Sequence, residues 1–411
     1  MKIGILTYHS VPNFGAQLQT LSTFCYLKNQ GHEPIVINWY PRDLENLYSW
    51  ISDEQNNAHN QFLKSYLTTT ALCRTETDLL NEVLNQKLEA IILGSDALFK
   101  YIPIMKRLYL KMGKRRPRLV FVNVPSVEKL HNNPFLGSFI SKLQSSIPVS
   151  VYAVSSQNCH FNLMTPPEKR LMKSYLKMFD FISVRDSWTQ KMVKEISGYN
   201  ADVYPDPVFA FNNNVKDLIP TKNEILKKYN ITNDYILLSF RTGKCSDDYI
   251  QTLAEEVKKA GYLPVGLAMP EGIFCGNLEF EIPTPLSPMD WYALIKYSSG
   301  YIGERMHPIV VALHNAVPCY AFDEYGASLP DNVIFPKIGK WEKIKSKTYH
   351  IMQAANLNNN WFGYGAQETL PIASEVINKL LTVDKSLSEK FANKQLERYI
   401  TGMSNVLKSF N

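Results

Sequence analysis

No apolar run in the 411-residue chain approaches the ~18–20 residues that a helix needs to cross a bilayer, so no spanning helix is expected. The six cysteines (Cys25, Cys73, Cys159, Cys245, Cys275 and Cys319) show neither CxxC nor CxxH spacing. That removes the usual zinc patterns, and their apolar surroundings suit reduced thiols of a cytosolic protein better than a disulfide frame. No GxGxxG follows the first strand, so the dinucleotide fingerprint is missing. No secretory h-region precedes the first apolar strand at Lys2. Short-period repeats and low-complexity tracts are lacking too. Net charge is only +6, with a single short basic stretch and no recognition motif, which excludes a nucleic-acid partner as the first reading. What remains is an ordinary globular composition, 45% apolar and 20% charged, long enough for two or three domains.

Apolar strands and helical stretches alternate along the chain, and that order implies parallel sheets with crossover helices. Lys2–Tyr8 is an apolar strand, His9–Gly15 a loop, Ala16–Asn29 a helix with one buried side, and Pro34–Trp39 a second strand. Glu89–Leu93, Leu119–Val124, Val149–Ser155 and Asp180–Val184 read as further strands, with a helix between the middle two. Asn212–Asn233 is polar and reads as a linker. The plan then repeats, with strands at Tyr235–Phe240, Leu263–Ala268, Gly300–Gly303 and Val317–Phe322. The fold class expected is α/β: two Rossmann-like parallel-sheet domains facing a cleft. The expected division is 1–211, 234–370, and C-terminal helices from 371 that pack back across both.

Chemistry is expected at strand ends, where such sheets bind ligands. Arg185, Arg241 and Arg305 each follow a strand, and arginine suits bidentate contact with carboxylate or phosphate. Arg305 and His307 precede an apolar helix expected to start at Pro308; its N-terminus adds free N–H groups and a positive dipole end. Asn13 and Gly15 sit after the first strand, and Ser95 and Asp96 after the third, where they could receive sugar hydroxyls or merely shape a turn and cap a helix. Phe99–Arg118 carries eight basic residues and no acid, interleaved with apolar ones; it suits an anionic membrane surface, a pyrophosphate, or simply solvent.

The ordered motifs GILTYHSVPNFGAQLQT, LGSDALF, YAVSS, ISVRDSW, YPDPV, LLSFRTGK and GERMHPIVVALHNAVP resemble the polysaccharide pyruvyl transferase family over residues 1 to about 322. The resemblance implies a fold similar to GT-B glycosyltransferases. It implies transfer of a pyruvyl unit from phosphoenolpyruvate to two hydroxyls of a sugar, giving a ketal in surface polysaccharide such as bacterial capsule or exopolysaccharide. Arg305 and His307 match the family's donor-binding and catalytic pair, with Arg185 or Arg241 as the second arginine. Asn13, Gly15, Gln17, Ser95 and Asp96 are the acceptor-side candidates, and Asp96 or Glu304 the candidates to deprotonate an acceptor hydroxyl. The partners implied are phosphoenolpyruvate and a glycan acceptor, polyprenyl-pyrophosphate-linked, with no cofactor and no metal. The place implied is the cytoplasm, with peripheral contact at the inner membrane face through 99–118. Two departures stand out: Pro308 occupies a position where the family often has Gly or Ala, and Ala97-Leu98-Phe99 replaces the usual Gln-Val-Trp. The alternatives are a GT-B-type glycosyltransferase using a nucleotide sugar, or a non-catalytic glycan- or anion-binding relative.

Overall fold

Strands with no polar face need helices on both sides, and the apolar runs of this chain form such strands. The computed structural model describes all residues except 112–115, 117, 145, 158, 242–244, 275, 325–345, 365–368 and 411. In chain order the strands are β1 (Lys2–Leu6), β2 (Glu33–Val36), β3 (Ala90–Asp96), β4 (Leu108–Lys111), β5 (Arg118–Phe121), β6 (Val149–Val154) and β7 (Phe181–Val184). Then come β8 (Asp202–Val203), β9 (Tyr235–Ser239), β10 (Leu263–Gly266), β11 (Gly300–Glu304), β12 (Cys319–Glu324) and β13 (Trp361–Tyr364). Six of them form one parallel sheet in the order β2-β1-β3-β6-β7-β8, and five form a second, β10-β9-β11-β12-β13. The structural class is therefore two parallel-sheet α/β halves with a GT-B-like arrangement. In each half the order reverses beside the first strand, between β1 and β3 and between β9 and β11. Crevices at the carboxyl ends of such switch points hold ligands in doubly wound sheets.

The two halves share a core. The helix Phe14–Asn29 is buried from Phe14 through Leu27, not on one side as expected, because it is enclosed between the first sheet and the second half. Phe14 packs against Trp291 with ring centroids 5.2 Å apart, and one apolar cluster includes residues of both halves. Gln55 ties the halves again, donating to the Leu286 carbonyl and accepting from the Leu286 N–H, both at 2.9 Å. The last helix, Lys385–Lys408, returns from the second half to the first. Arg398 donates to the Val203 carbonyl, Asn405 donates to the Tyr204 hydroxyl at 2.9 Å, and Ser409 meets Ser150.

Three local expectations change. Leu119–Val124 is not a strand of the main sheet; β5 pairs antiparallel with β4 as a separate hairpin. Between it and β6 lie three short 3-10 turns rather than an α-helix. Apolar runs of four to six residues carry no mark of which partner they will find. The linker contains helices, including Lys222–Lys228 with a Thr221/Glu224 capping box. Among the described residues no helix is long and apolar enough to cross a membrane.

Candidate functional site

The turn after β11 begins with a strained residue. Arg305 has φ +73°, a region that costs a side-chain-bearing residue of order 1–3 kcal/mol and that gathers at functional sites. The helix starts at Met306, two residues earlier than expected, with Arg305 as its N-cap and His307 and Pro308 in its first turn. Pro308 costs nothing there, since N–H groups of a first helical turn have no intrahelical partner.

His307 projects from the second half onto the first. Its ring lies flat against the Phe14–Asn29 helix at Gly15: a Cβ on Gly15 would stand 2.1 Å from ring atoms of His307. Glycine is needed here for close approach. His307 Nε2 lies 3.1 Å from the Gln19 amide and 3.7 Å from Asp206 Oδ2. Asp206 is buried; it accepts from Gln19 and, at 2.6 Å, from Arg185. Burial would raise its carboxyl pKa, but the neighbouring His307 and the Arg185 charge outweigh that and hold it well below the usual carboxylate range. Asp206 is therefore held as an anion beside the His307 imidazole, placed to orient the ring.

Arg185 and Arg305 are each fixed from behind. Arg185 is enclosed, its side chain 6% exposed, and also lies 3.6 Å from Asp96. Its Nε and Nη2 are buried and make no hydrogen bond among the described residues, Nη2 being the atom nearest Asp96. Arg305 donates to Glu271 at 2.6 Å. Both arginines, with His307, Asn13 and Asp96, line a cavity of about 480 Å³ at the facing sheet edges. Lys100 and Lys347 add charge to the same wall, against Asp96, Glu128 and Asp323. Lys347 is the first residue of a helix, Lys347–Ala354, whose N-terminus also faces the cavity. Burial, reinforced by the nearby Arg185, lowers the Lys347 ammonium to about 8. The arrangement can hold a small dianion beside an acid–base group.

Six of the expected residues thus come together: Asn13, Gly15, Asp96, Arg185, Arg305 and His307. Asn13 also caps the helix, accepting from the Ala16 N–H at 3.2 Å. Three are placed differently. Ser95 is buried and its hydroxyl donates to the Ala153 carbonyl at 2.7 Å. Gln17 is buried with its Oε1 2.7 Å from His59 Nδ1, and His59 in turn reaches the Pro270 carbonyl of the second half at 2.8 Å. Arg241 does not line the cavity; its guanidinium lies 3.6 Å from Glu304, and its N–H donates to that carboxylate at 3.0 Å. Glu304 is thereby committed to Arg241 and to the Tyr364 hydroxyl at 3.0 Å, and burial raises its carboxyl. The basic stretch also turns partly inward. Lys100 pairs with Glu128, and Arg107 is buried with its guanidinium 4.7 Å from the Phe121 ring centroid. Residues 112–115 and 117 of that stretch lie outside the described residues.

Gln19, Asp206 and Lys347 escaped sequence reasoning. Asp206 sits in YPDPV, which reads as punctuation, and Gln19 finds Asp206 only when segments far apart in the chain fold together. Lys347 carries no local signal at all. Among the described residues no group of three or more His, Cys, Asp or Glu is placed to hold a metal.

With this geometry in hand, comparison places the chain among known proteins. A family model described as polysaccharide pyruvyl transferase matches residues 13–324. No curated protein matches the sequence. Similar solved structures include UDP-GlcNAc 2-epimerase from Neisseria meningitidis bound to UDP-GlcNAc, at TM-score 0.56 and 9% identity, over 100% of this chain and 99% of that one. The S. aureus MnaA–UDP co-structure matches at TM-score 0.54 and 11% identity, over 100% and 98%. UDP-GlcNAc 2-epimerase from Methanocaldococcus jannaschii matches at 0.52 and 10%, over 96% and 99%. At these identities the likeness concerns the fold.

Proposed function

Since the chain belongs to the polysaccharide pyruvyl transferase family, we propose that it moves a pyruvyl group from phosphoenolpyruvate onto two hydroxyls of one sugar of a glycan. The observation that carries this reading is the convergence of Arg185, Arg305, Lys347 and His307 on one cavity. Phosphoenolpyruvate offers a carboxylate and a phosphate, and two guanidinium groups held apart by separate carboxylates match two anionic ends.

In the proposed mechanism His307 protonates the methylene carbon of the donor, and the adjacent carbon becomes electrophilic. A sugar hydroxyl adds there and its proton passes to His307. The phosphate leaves, and a second hydroxyl of the sugar closes the ketal, its proton leaving with the phosphate. One proton thus ends in the new methyl group and one on phosphate. Asp206 stabilises the His307 imidazolium, while Gln19 and the Gly15 backbone hold the ring. Asp96, at the cavity wall, is proposed to relay the proton of the second hydroxyl to the departing phosphate.

The acceptor is proposed to be lipid-linked. The β4–β5 hairpin exposes Leu119, Phe121 and Val122 beside Arg116 and Arg118, which suits contact with an anionic membrane surface. A second reading, a transferase using a nucleotide sugar, is favoured only by the bound UDP compounds of the structural neighbours. Phosphorus NMR separates the two. Release of inorganic phosphate from phosphoenolpyruvate, dependent on a lipid-linked glycan and giving a pyruvate ketal by mass spectrometry, supports the transfer. Thermal stabilisation by UDP-sugars with none by phosphoenolpyruvate would sink it.

A further inference from the structure

A second cavity of about 490 Å³ lies wholly in the first half, at the ends of β1 and β2, and shares Tyr48 with the charged one. Its chemistry differs. Three asparagines on the flanking helical segments (Asn46, Asn56 and Asn60) face it, with Asn38 from the end of β2. An amide side chain both donates and accepts, which is what a sugar hydroxyl asks of its partner. Its charged groups are mostly turned away from a ligand. Arg74 is paired with Glu45 at 2.6 Å and donates to the Tyr40 carbonyl at 2.9 Å, which leaves Lys64 at the exposed rim. His9, at the floor, is buried, with Nδ1 3.2 Å from the Thr7 carbonyl and Nε2 2.7 Å from the Ser10 hydroxyl and 3.0 Å from the Asn38 side-chain oxygen. Burial lowers its pKa, so the floor is uncharged near neutral pH. Tyr40 and Tyr48 supply two aromatic walls. Without a convergent arginine the cavity is poorly suited to an anion; with amides and aromatic walls it suits a neutral carbohydrate.

We propose that this second cavity binds an uncharged glycosyl unit of the acceptor, adjacent to the sugar that is modified in the charged cavity. Its role in the reaction rests on the transfer reading above; its affinity for neutral sugar does not. Tyr48, standing in both walls, places the two sites side by side.

The test uses the full chain and a panel of neutral probes: methyl β-D-galactoside, methyl β-D-glucoside and methyl α-D-mannoside, followed by saturation-transfer-difference NMR. At least one glycoside is expected to bind, and saturating phosphoenolpyruvate should leave its signal in place. The double variant Asn46→Ala/Asn60→Ala should weaken that binding roughly tenfold, about two lost hydrogen bonds, with phosphoenolpyruvate stabilisation unchanged. Both residues are exposed, so folding should survive. Ser49→Trp, at the mouth, is a second variant expected to lose the glycoside. Binding of no glycoside, displacement by phosphoenolpyruvate, or unchanged affinity in both variants would overturn the proposal. A protein that binds the glycoside here but neither binds nor consumes phosphoenolpyruvate would overturn the donor assignment and leave the sugar site standing.

Discussion

The two cavities meet at Tyr48 and are built on opposite plans. In the charged one, the principal side chains are held by neighbours: Arg185 by Asp206, Arg305 by Glu271, and His307 against Gly15 and Gln19. In the amide one, Asn46, Ser49, Asn60 and Lys64 stand exposed at the mouth. The contrast suits the ligands proposed for each. A small polyanion with a reacting carbon favours fixed charges in a low-dielectric wall, where preorganised groups act most strongly. A neutral sugar gives up little by keeping part of its water, so exposed amides suffice. Substitutions should therefore be costly in the first cavity and mild in the second.

The sharpest test is His307→Ala. Loss of a general acid–base group should lower kcat by ~10²–10⁴, measured as phosphate release; a near wild-type rate would break the contrast at its centre. Next, Arg185→Ala leaves Asp206 buried without its partner, and breaking such a pair costs about 3–5 kcal/mol. Urea unfolding should show that loss. Arg305→Gly separates stability from function: glycine relieves the φ +73° backbone. Its Tm should hold or rise while stabilisation by phosphoenolpyruvate disappears. Gly15→Ala forces the His307 ring away, and overpacking of this kind costs ~1–3 kcal/mol. Activity should fall more than donor affinity.

The smallest effect is with pH. Lys347, lowered to about 8, is charged below that value and neutral above it. Donor affinity measured by calorimetry should weaken as pH rises past about 8, and Lys347→Arg should remove that step while keeping the charge. The linkage to folding has the opposite sense. Its folded pKa lies below the unfolded ~10.4, so the unfolded chain holds more protons in that window and Lys347 favours folding more as pH rises from about 8. A donor affinity flat from pH 7 to 9.5 would remove Lys347 from the site.

The sequence made one half of this contrast legible. Arginines after strands and a histidine before an apolar helix announce themselves, because strand ends are few and binding there follows from sheet topology. Asp206 and Gln19 do not, since they meet each other and Arg185 only in the folded chain, from segments far apart in sequence. Lys347 enters from a later helix that no periodicity connects to the cavity. The amide cavity was invisible for another reason: asparagine and serine between helices read as ordinary solvent-facing polarity. The hairpin β4–β5 shows the limit on the fold side, where a short apolar run named a strand but not its sheet.

The proposed acid–base group and its surroundings are split across the molecule. His307 belongs to the second half, while Gly15, Gln19 and Asp206 belong to the first. The surroundings of the imidazole therefore depend on the seam between the halves: any substitution that loosens that seam removes the histidine's carboxylate neighbour and its glycine backing together.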